Sequence, residues 1–329
     1  MDTFKALLVE ESEGAYSKQI KDIPFSSLIE NDILIKVQYS CINYKDALSA
    51  SGNKGVTRKY PHIPGVDAAG IIVNSNDPSF KEGDEVLVTG FDLGMNTWGG
   101  FGEYISVPAS WVLPIPENLS MEESMCFGTA GLTAGLSVLK VVEAGIEPDA
   151  GEIVVSGATG GVGSLSVAIL SKLGYQVTAI SGKSEDAFLK EVLGASTINS
   201  RQEFLDFHNS KPLSKEQFAA GIDTVGGDIL SGILKATKYG GLVTCCGMVA
   251  SPNLNTSIFP FILRGVQLAG IDSVIISRKL REKVWSLLAL EWKPEQLKEM
   301  VSTIGLEDLP AKLQQILEGK ARGRFLLKY

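Results

Sequence analysis

One stretch limits what this chain can fold into more than any other: Val154-Val155-Ser156-Gly157-Ala158-Thr159-Gly160-Gly161-Val162-Gly163. The run from Glu152 to Ser156 reads as a parallel strand covered on both faces, and Val162 to Leu173 as an amphipathic helix stopped by Gly174. Between them the backbone must turn sharply. Glycine allows that turn and lets backbone amides approach an anion where the helix begins and its dipole is positive. The spacing Gly157, Gly160, Gly163 differs from the common G-x-G-x-x-G. A strand before and a helix after nevertheless supply the context of a dinucleotide-diphosphate bend.

The alternation continues downstream. Tyr175 to Ser181, Ser196 to Ile198, Gly221 to Val225, Leu242 to Cys246 and Val266 to Ile271 read as further strands. Helices are predicted over Ser184 to Leu193 and Asp228 to Thr237. Six strands in this pattern predict an α/β fold with a doubly wound parallel sheet. The first third is different: short apolar or alternating stretches separated by Gly, Pro, Asn and Asp predict a small β-barrel or sandwich. After Ile271 the chain reads as helical, over Arg278 to Glu291 and Glu307 to Gly319, until a last strand, Arg324 to Lys328. That strand needs a sheet to join, so it is expected to return to the N-terminal β domain. The predicted division is 1–121 with 294–329 for the β domain and 122–293 for the parallel sheet.

About twenty residues past the glycines, an NAD site places an acidic side chain at the end of the second strand to bind the ribose. Here the residues are Ser181-Gly182-Lys183, a hydroxyl and an ammonium without a carboxylate. That suits a 2′-phosphate, so NADPH is preferred over NADH.

Charge narrows the partners. Thirty basic against 38 acidic side chains give a net charge of −8, which disfavours nucleic acid and anionic membrane. The uncharged runs 153–171 and 239–263 are interrupted by glycine, or by proline and polar residues, and so are poor membrane spans. Four cysteines are few for disulfides, and the acidic N-terminal segment does not resemble a secretory leader, so a cytoplasmic location is expected.

Several motifs carry a resemblance along the whole chain. Ile42-Asn43-Tyr44-Lys45-Asp46, Ile63-Pro64-Gly65-Val66-Asp67-Ala68-Ala69-Gly70, Gly83-Asp84-Glu85-Val86 and Ala158-Thr159-Gly160-Gly161-Val162-Gly163 together resemble the medium-chain dehydrogenase/reductase superfamily. Trp98-Gly99-Gly100, Gly128-Thr129-Ala130-Gly131, Asp223-Thr224-Val225-Gly226 and Pro260-Phe261-Ile262-Leu263-Arg264 are similar, more narrowly, to its YhdH/YhfP-type quinone oxidoreductases, a group that includes acryloyl-CoA reductase. The resemblance implies a GroES-like β-barrel domain, a Rossmann domain, NADPH and a homodimer. It places cofactor contacts on Tyr44, Thr159, Gly160, Gly161, Val162, Ser181, Gly182, Lys183, Arg201, Gly247, Met248, Ser273 and Arg322 or Arg324. Arg264 is a candidate partner for an acidic substrate or a CoA phosphate.

Zinc-dependent members of the superfamily carry a Cys where this chain has Asn43, and Gly-His-Glu where it has Gly65-Val66-Asp67. Val66 cannot ligate a metal, and no four closely spaced cysteines exist for a structural zinc, so no metal is expected. Without a Lewis acid, a conjugated C=C is the more suitable hydride acceptor. Candidate catalytic residues are Asn43 as amide donor, Tyr44 as nicotinamide platform and proton donor, and Asp46 as orienting group. The expected substrate is a small molecule, an enoyl-CoA or a quinone, bound in the cleft between the domains. A non-catalytic NADPH-binding protein is the alternative of another class. The homodimer is expected to form through the edge strand Val266 to Ile271.

Overall fold

The computed structural model describes residues 2–183 and 186–329. The chain divides into two compact units. Unit 1 comprises Met1–Thr129, Val274–Ser277 and Val301–Tyr329, and unit 2 comprises Ala130–Ser273 and Arg278–Met300.

Unit 1 starts with β1 (Thr3–Ser12) and β2 (Ala15–Pro24), an antiparallel hairpin. Glu13 and Gly14 both have positive φ, the geometry that matches the twist of a two-residue hairpin loop. β3 (Ile33–Cys41), the short α1 (Tyr44–Ala50), β4 (Asp67–Ser75), β5 (Glu85–Thr89), β6 (Tyr104–Val107) and β7 (Leu113–Pro114) follow. β3 pairs with β4 on one side and with β6 along Ile33–Lys36. Ile33, Ile35, Val37, Ile72, Val86, Val88, Ile105 and Val107 alternate inward along these strands and form one buried cluster.

The chain leaves unit 1 along α2 (Met121–Glu143), whose backbone is non-helical at Gly128. α2 is long and apolar enough to cross a bilayer, but most of its apolar window is buried within the protein.

Unit 2 contains β8 (Ile153–Ser156), α3 (Gly161–Lys172), β9 (Val177–Ser181), β10 (Thr197–Ser200), α4 (Arg201–His208), β11 (Phe218–Asp223), α5 (Gly227–Ala236), β12 (Thr237–Cys245), α6 (Phe259–Arg264), β13 (Gln267–Gly270) and α7 (Arg278–Ala289). Its six strands lie in the order β10-β9-β8-β11-β12-β13 and are all parallel. This is the predicted doubly wound sheet. Where a helix is predicted from Ser184, that residue lies outside the described ones, and Phe188–Val192 forms a π-helical turn.

The chain then returns to unit 1 with β14 (Val301–Ile304), α8 (Leu309–Leu317) and β15 (Arg324–Lys328). As expected, β15 joins the N-terminal sheet: it pairs antiparallel with β3, Leu326 opposite Cys41, and parallel with β14. The division differs from 1–121 with 294–329 and 122–293 in that the segment through Thr129 is tied into unit 1 by Asp67, Val274–Ser277 belongs to unit 1, and residues 294–300 stay in unit 2.

Candidate active site

In unit 2, β8 delivers Ser156 to the carboxyl edge of the sheet, and the glycine bend follows at once. Gly157 has φ +59, and a Cβ there would lie 2.4 Å from Thr224 Oγ1. A Cβ on Gly163 would lie 2.2 Å from the Gly157 carbonyl oxygen, so the helix start packs directly on the bend. α3 begins with Gly160 as its N-cap and no capping side chain, which leaves first-turn amides without an internal acceptor. Gly160, Gly161 and Val162 are only half-buried, whereas Thr159 is 5% exposed. The bend leaves no room for side chains, and although the Ala158 and Gly160 amides are taken by the Ile180 and Gly157 carbonyls, the open first-turn amides of α3 fit a diphosphate.

β9 and β10 run in register with Ser181 opposite Ser200, so Gly182-Lys183 and Arg201 leave neighbouring strands at the same level. The Arg201 guanidinium lies over Gly182: a Cβ there would sit 3.1 Å from Nη2. A cation therefore stands where an NAD site would hold a carboxylate. Ser181 has a different task from the one expected. Its hydroxyl accepts from the Lys183 amide at 3.0 Å and donates to the Lys183 carbonyl at 3.2 Å, shaping the turn.

Gly247 follows β12, so close to the neighbouring loop that a Cβ would lie 1.8 Å from the Thr224 carbonyl oxygen, and Met248 beside it is exposed. Ser273 is buried, its hydroxyl accepting from Thr133 Oγ1 at 2.8 Å and its carbonyl accepting from Arg281 Nη2 at 3.2 Å. Arg264 is not placed for a substrate. Nη1 donates to the carbonyls of Lys235 and Thr237, Nη2 to that of Ser214, and Nε faces Glu216 at 3.2 Å, so its donors clamp the fold.

In unit 1, the pairing of β3 with β4 and β15 gathers Cys41, Asp67 and Arg324 with Asn43. Asp67 is fully buried. It accepts from Asn43 Nδ2 at 2.7 Å, Cys41 Sγ at 3.0 Å, and the Thr129 amide and hydroxyl at 2.9 and 2.6 Å. Arg324, 3% exposed, donates to Cys41 Sγ at 2.8 Å, Asn43 Oδ1 at 3.1 Å and the Cys126 carbonyl at 3.3 Å. Burial pushes the Cys41 thiol well above its ordinary range, consistent with an S–H that donates to Asp67 and accepts from Arg324. Gly128 (φ +52) closes the cluster, because a Cβ there would lie 2.4 Å from Cys41 Sγ and 2.6 Å from Asp67 Oδ2.

Three expectations change here. Asn43 has both polar atoms engaged by Asp67 and Arg324, so it braces the cluster instead of offering a free amide. Asp46 is fully buried and accepts from the amides of Asn43 (2.7 Å), Gly65 (3.2 Å) and Val66 (2.9 Å), fastening the start of α1 to the 65–66 turn. It is a positioning residue with no exposed oxygen. Arg324 is committed within this cluster, while Arg322 is exposed just before β15. Of the three catalytic candidates Tyr44 is the most accessible, 37% exposed at the first turn of α1, while Asn43 is half-buried and Asp46 buried.

A catalytic zinc does not fit these donors. It needs deprotonated thiolate, imidazole or carboxylate ligands with room to converge. Here a guanidinium already holds Cys41 and Asn43, and Val66 contributes a buried hydrocarbon. No group of three or more His, Cys, Asp or Glu suited to a metal occurs among the described residues.

Desolvation raises the Asp46 carboxyl to about 7, against about 3.9 for an unfolded chain. Between those values the folded protein holds a proton that the unfolded chain releases. Stability from this group is therefore full below pH ~4 and falls as pH rises to ~7. Urea midpoints measured across pH 4–8 are expected to show that decline, and Asp46→Asn to flatten it; an unchanged slope in the variant would refute the assignment.

Comparison with known proteins agrees with this geometry. Residues 29–117 match the alcohol dehydrogenase GroES-like domain and residues 161–289 the zinc-binding dehydrogenase domain. The acrylyl-CoA reductase AcuI of Ruegeria pomeroyi is 39% identical over 326 residues, covering 98% of each chain. The chain is a medium-chain dehydrogenase/reductase. Among solved medium-chain dehydrogenase/reductase structures, the YhdH oxidoreductase of Salmonella enterica in complex with NADP superimposes with a TM-score of 0.95 at 41% identity, covering 99% of each chain. Bacillus subtilis YhfP with NAD bound gives 0.95 at 43% identity over the whole of both chains.

Asp67, Cys41 and Thr129 were not among the expected site residues. Asp67 carried a usable signal: a charged residue opening an apolar strand, Asp67 to Val73, must find buried partners.

Proposed function

We propose that this protein is an NADPH-dependent reductase of activated carbon–carbon double bonds, with an α,β-unsaturated thioester such as acryloyl-CoA as substrate. The observation that carries the reading is the Arg201 guanidinium over Gly182, beside an anion-binding bend, in a chain 39% identical to an acrylyl-CoA reductase. Amides at Gly161 and Val162 would hold the diphosphate, the Gly160 amide being taken by the Gly157 carbonyl at 2.8 Å, and Arg201 with Lys183 would neutralise the 2′-phosphate. NADPH, when bound, supplies a hydride. Hydride addition at the β carbon moves an electron pair onto the thioester oxygen, and the α carbon then takes a proton, for which Tyr44 is the accessible donor. The cluster around Asp67 fixes Asn43 and so the start of α1 that carries Tyr44. Its donor set supports a zinc-independent reaction, and a conjugated double bond needs no Lewis acid to accept hydride.

The test is the rate of NADPH oxidation with acryloyl-CoA and crotonyl-CoA against a quinone panel. Faster turnover of the thioesters is expected. Faster turnover of quinones would favour the second reading, which has its own support in the provisional quinone oxidoreductase name of the 43% identical YhfP. Arg201→Ala is expected to weaken NADPH binding about tenfold and to leave NADH within about twofold, by fluorescence titration. Equal losses for both would remove Arg201 from the phosphate site.

A cytoplasmic homodimer is part of the same proposal. β13 is an edge strand, with Phe259, Ile262 and Leu263 of the preceding α6 exposed. A second copy pairing along that edge would cover them. Sedimentation at the mass of one 35.2 kDa chain would exclude it.

A further inference from the structure

The sheet order places the adenosine corner, at β9 and β10, on one side of the glycine bend. The rest of a dinucleotide must then extend across the carboxyl ends of β11 and β12 on the other side. A buried polar network connects that side to the bend. Ser156 Oγ donates to Asp223 Oδ1 at 2.7 Å and accepts from the Thr224 amide at 2.9 Å. Thr224 Oγ1 donates to the Ser156 carbonyl at 2.9 Å, and the Gly226 amide donates to Asp223 Oδ2 at 2.7 Å. Ser156 and Asp223 are both fully buried.

A second tier fastens the loop after β12 onto the loop after β11. The Cys246 amide donates to the Asp223 carbonyl at 3.1 Å, the Ala250 amide donates to the Val225 carbonyl at 2.9 Å, and Gly226 bridges to Ser251. Nothing in the catalytic chemistry above uses Ser156, Asp223 or Thr224. Their hydrogen bonds run between three successive strand ends, where a shift of the bend relative to either loop would misalign the two halves of the ligand site.

We propose that Ser156, Asp223 and Thr224 are positioning residues that lock the diphosphate bend to the two loops facing the nicotinamide half of the cofactor. The proposal rests on the dinucleotide reading and predicts something that reading does not: loss of this brace separates the two halves of NADPH energetically. The adenosine corner hangs on β9, β10 and Arg201, and the side-chain bonds of Ser156 and Thr224 run to the other side of the bend.

Ser156→Ala and Thr224→Val in the full-length protein test it, with binding of NADPH and of adenosine 2′-monophosphate measured by calorimetry. NADPH is expected to bind about tenfold more weakly, and adenosine 2′-monophosphate within about twofold of wild type. The KM for NADPH should rise while kcat at saturating NADPH changes by less than about threefold, and Thr224→Ser should restore binding. NADPH affinity within about twofold of wild type in both variants, or an equal loss for both ligands, would overturn the brace. Wild-type protein that takes up neither ligand would overturn the dinucleotide reading itself.

Discussion

Asp67→Ala is expected to cost about 3–5 kcal/mol of stability, the range for removing one partner from a buried charged cluster. The substitution strips the acceptor from Asn43 Nδ2, Cys41 Sγ and both donors of Thr129, and leaves the buried Arg324 guanidinium without the carboxylate that shares Cys41 and Asn43 with it. Chemical denaturation gives the number. Because the guanidinium then becomes the uncompensated group, Arg324→Leu added to Asp67→Ala should cost less than the sum of the two single changes. A loss below about 1 kcal/mol for Asp67→Ala would mean that the cluster is not held by its charge.

The second large effect lies in unit 2. Gly163→Ala places a methyl 2.2 Å from the Gly157 carbonyl oxygen and 2.7 Å from its carbon, both backbone atoms that cannot rotate away. The bend must move, and its amides with it, so NADPH affinity should fall about a hundredfold or more while the rest of the sheet keeps its pairing. Gly160→Ala meets only the Gly157 oxygen, at 3.2 Å, and should lose less. Equal affinities for the two variants would show that helix packing, and not the anion cradle, explains the glycines.

Much of the fold was readable because its signals are local. Most of the six parallel strands announced themselves as apolar runs, although β10, Thr-Ile-Asn-Ser, did not, and Arg324 to Lys328 read as a strand in need of a sheet, which β3 supplies. The hairpin partner β2 was not legible, since its alternation is between exposed and half-buried residues with few large apolar side chains. At the site, Gly157, Gly160 and Gly163 form the turn between β8 and α3, and Arg201 lies over Gly182. Asn43 and Asp46 are near the right place in other roles, because a sequence shows which polar groups exist and not which are already satisfied. Arg264 shows the same limit: its basic charge suggested an acidic ligand, and three backbone carbonyls and Glu216 take it up instead.

What the amino-acid order alone decided is the parallel sheet, the diphosphate bend and the absence of an acidic residue at Ser181-Gly182-Lys183. Each depends on periodicity or glycine freedom within about a dozen residues. The cluster of Cys41, Asn43, Asp67, Gly128 and Arg324 was decided by tertiary structure. Its members are up to 283 positions apart, and only the register of β3 against β4 and β15 brings a carboxylate, a thiol and a guanidinium within hydrogen-bonding distance. Desolvating those groups is costly unless each meets its partner, so pairing of distant strands, and not local pattern, determined what they do.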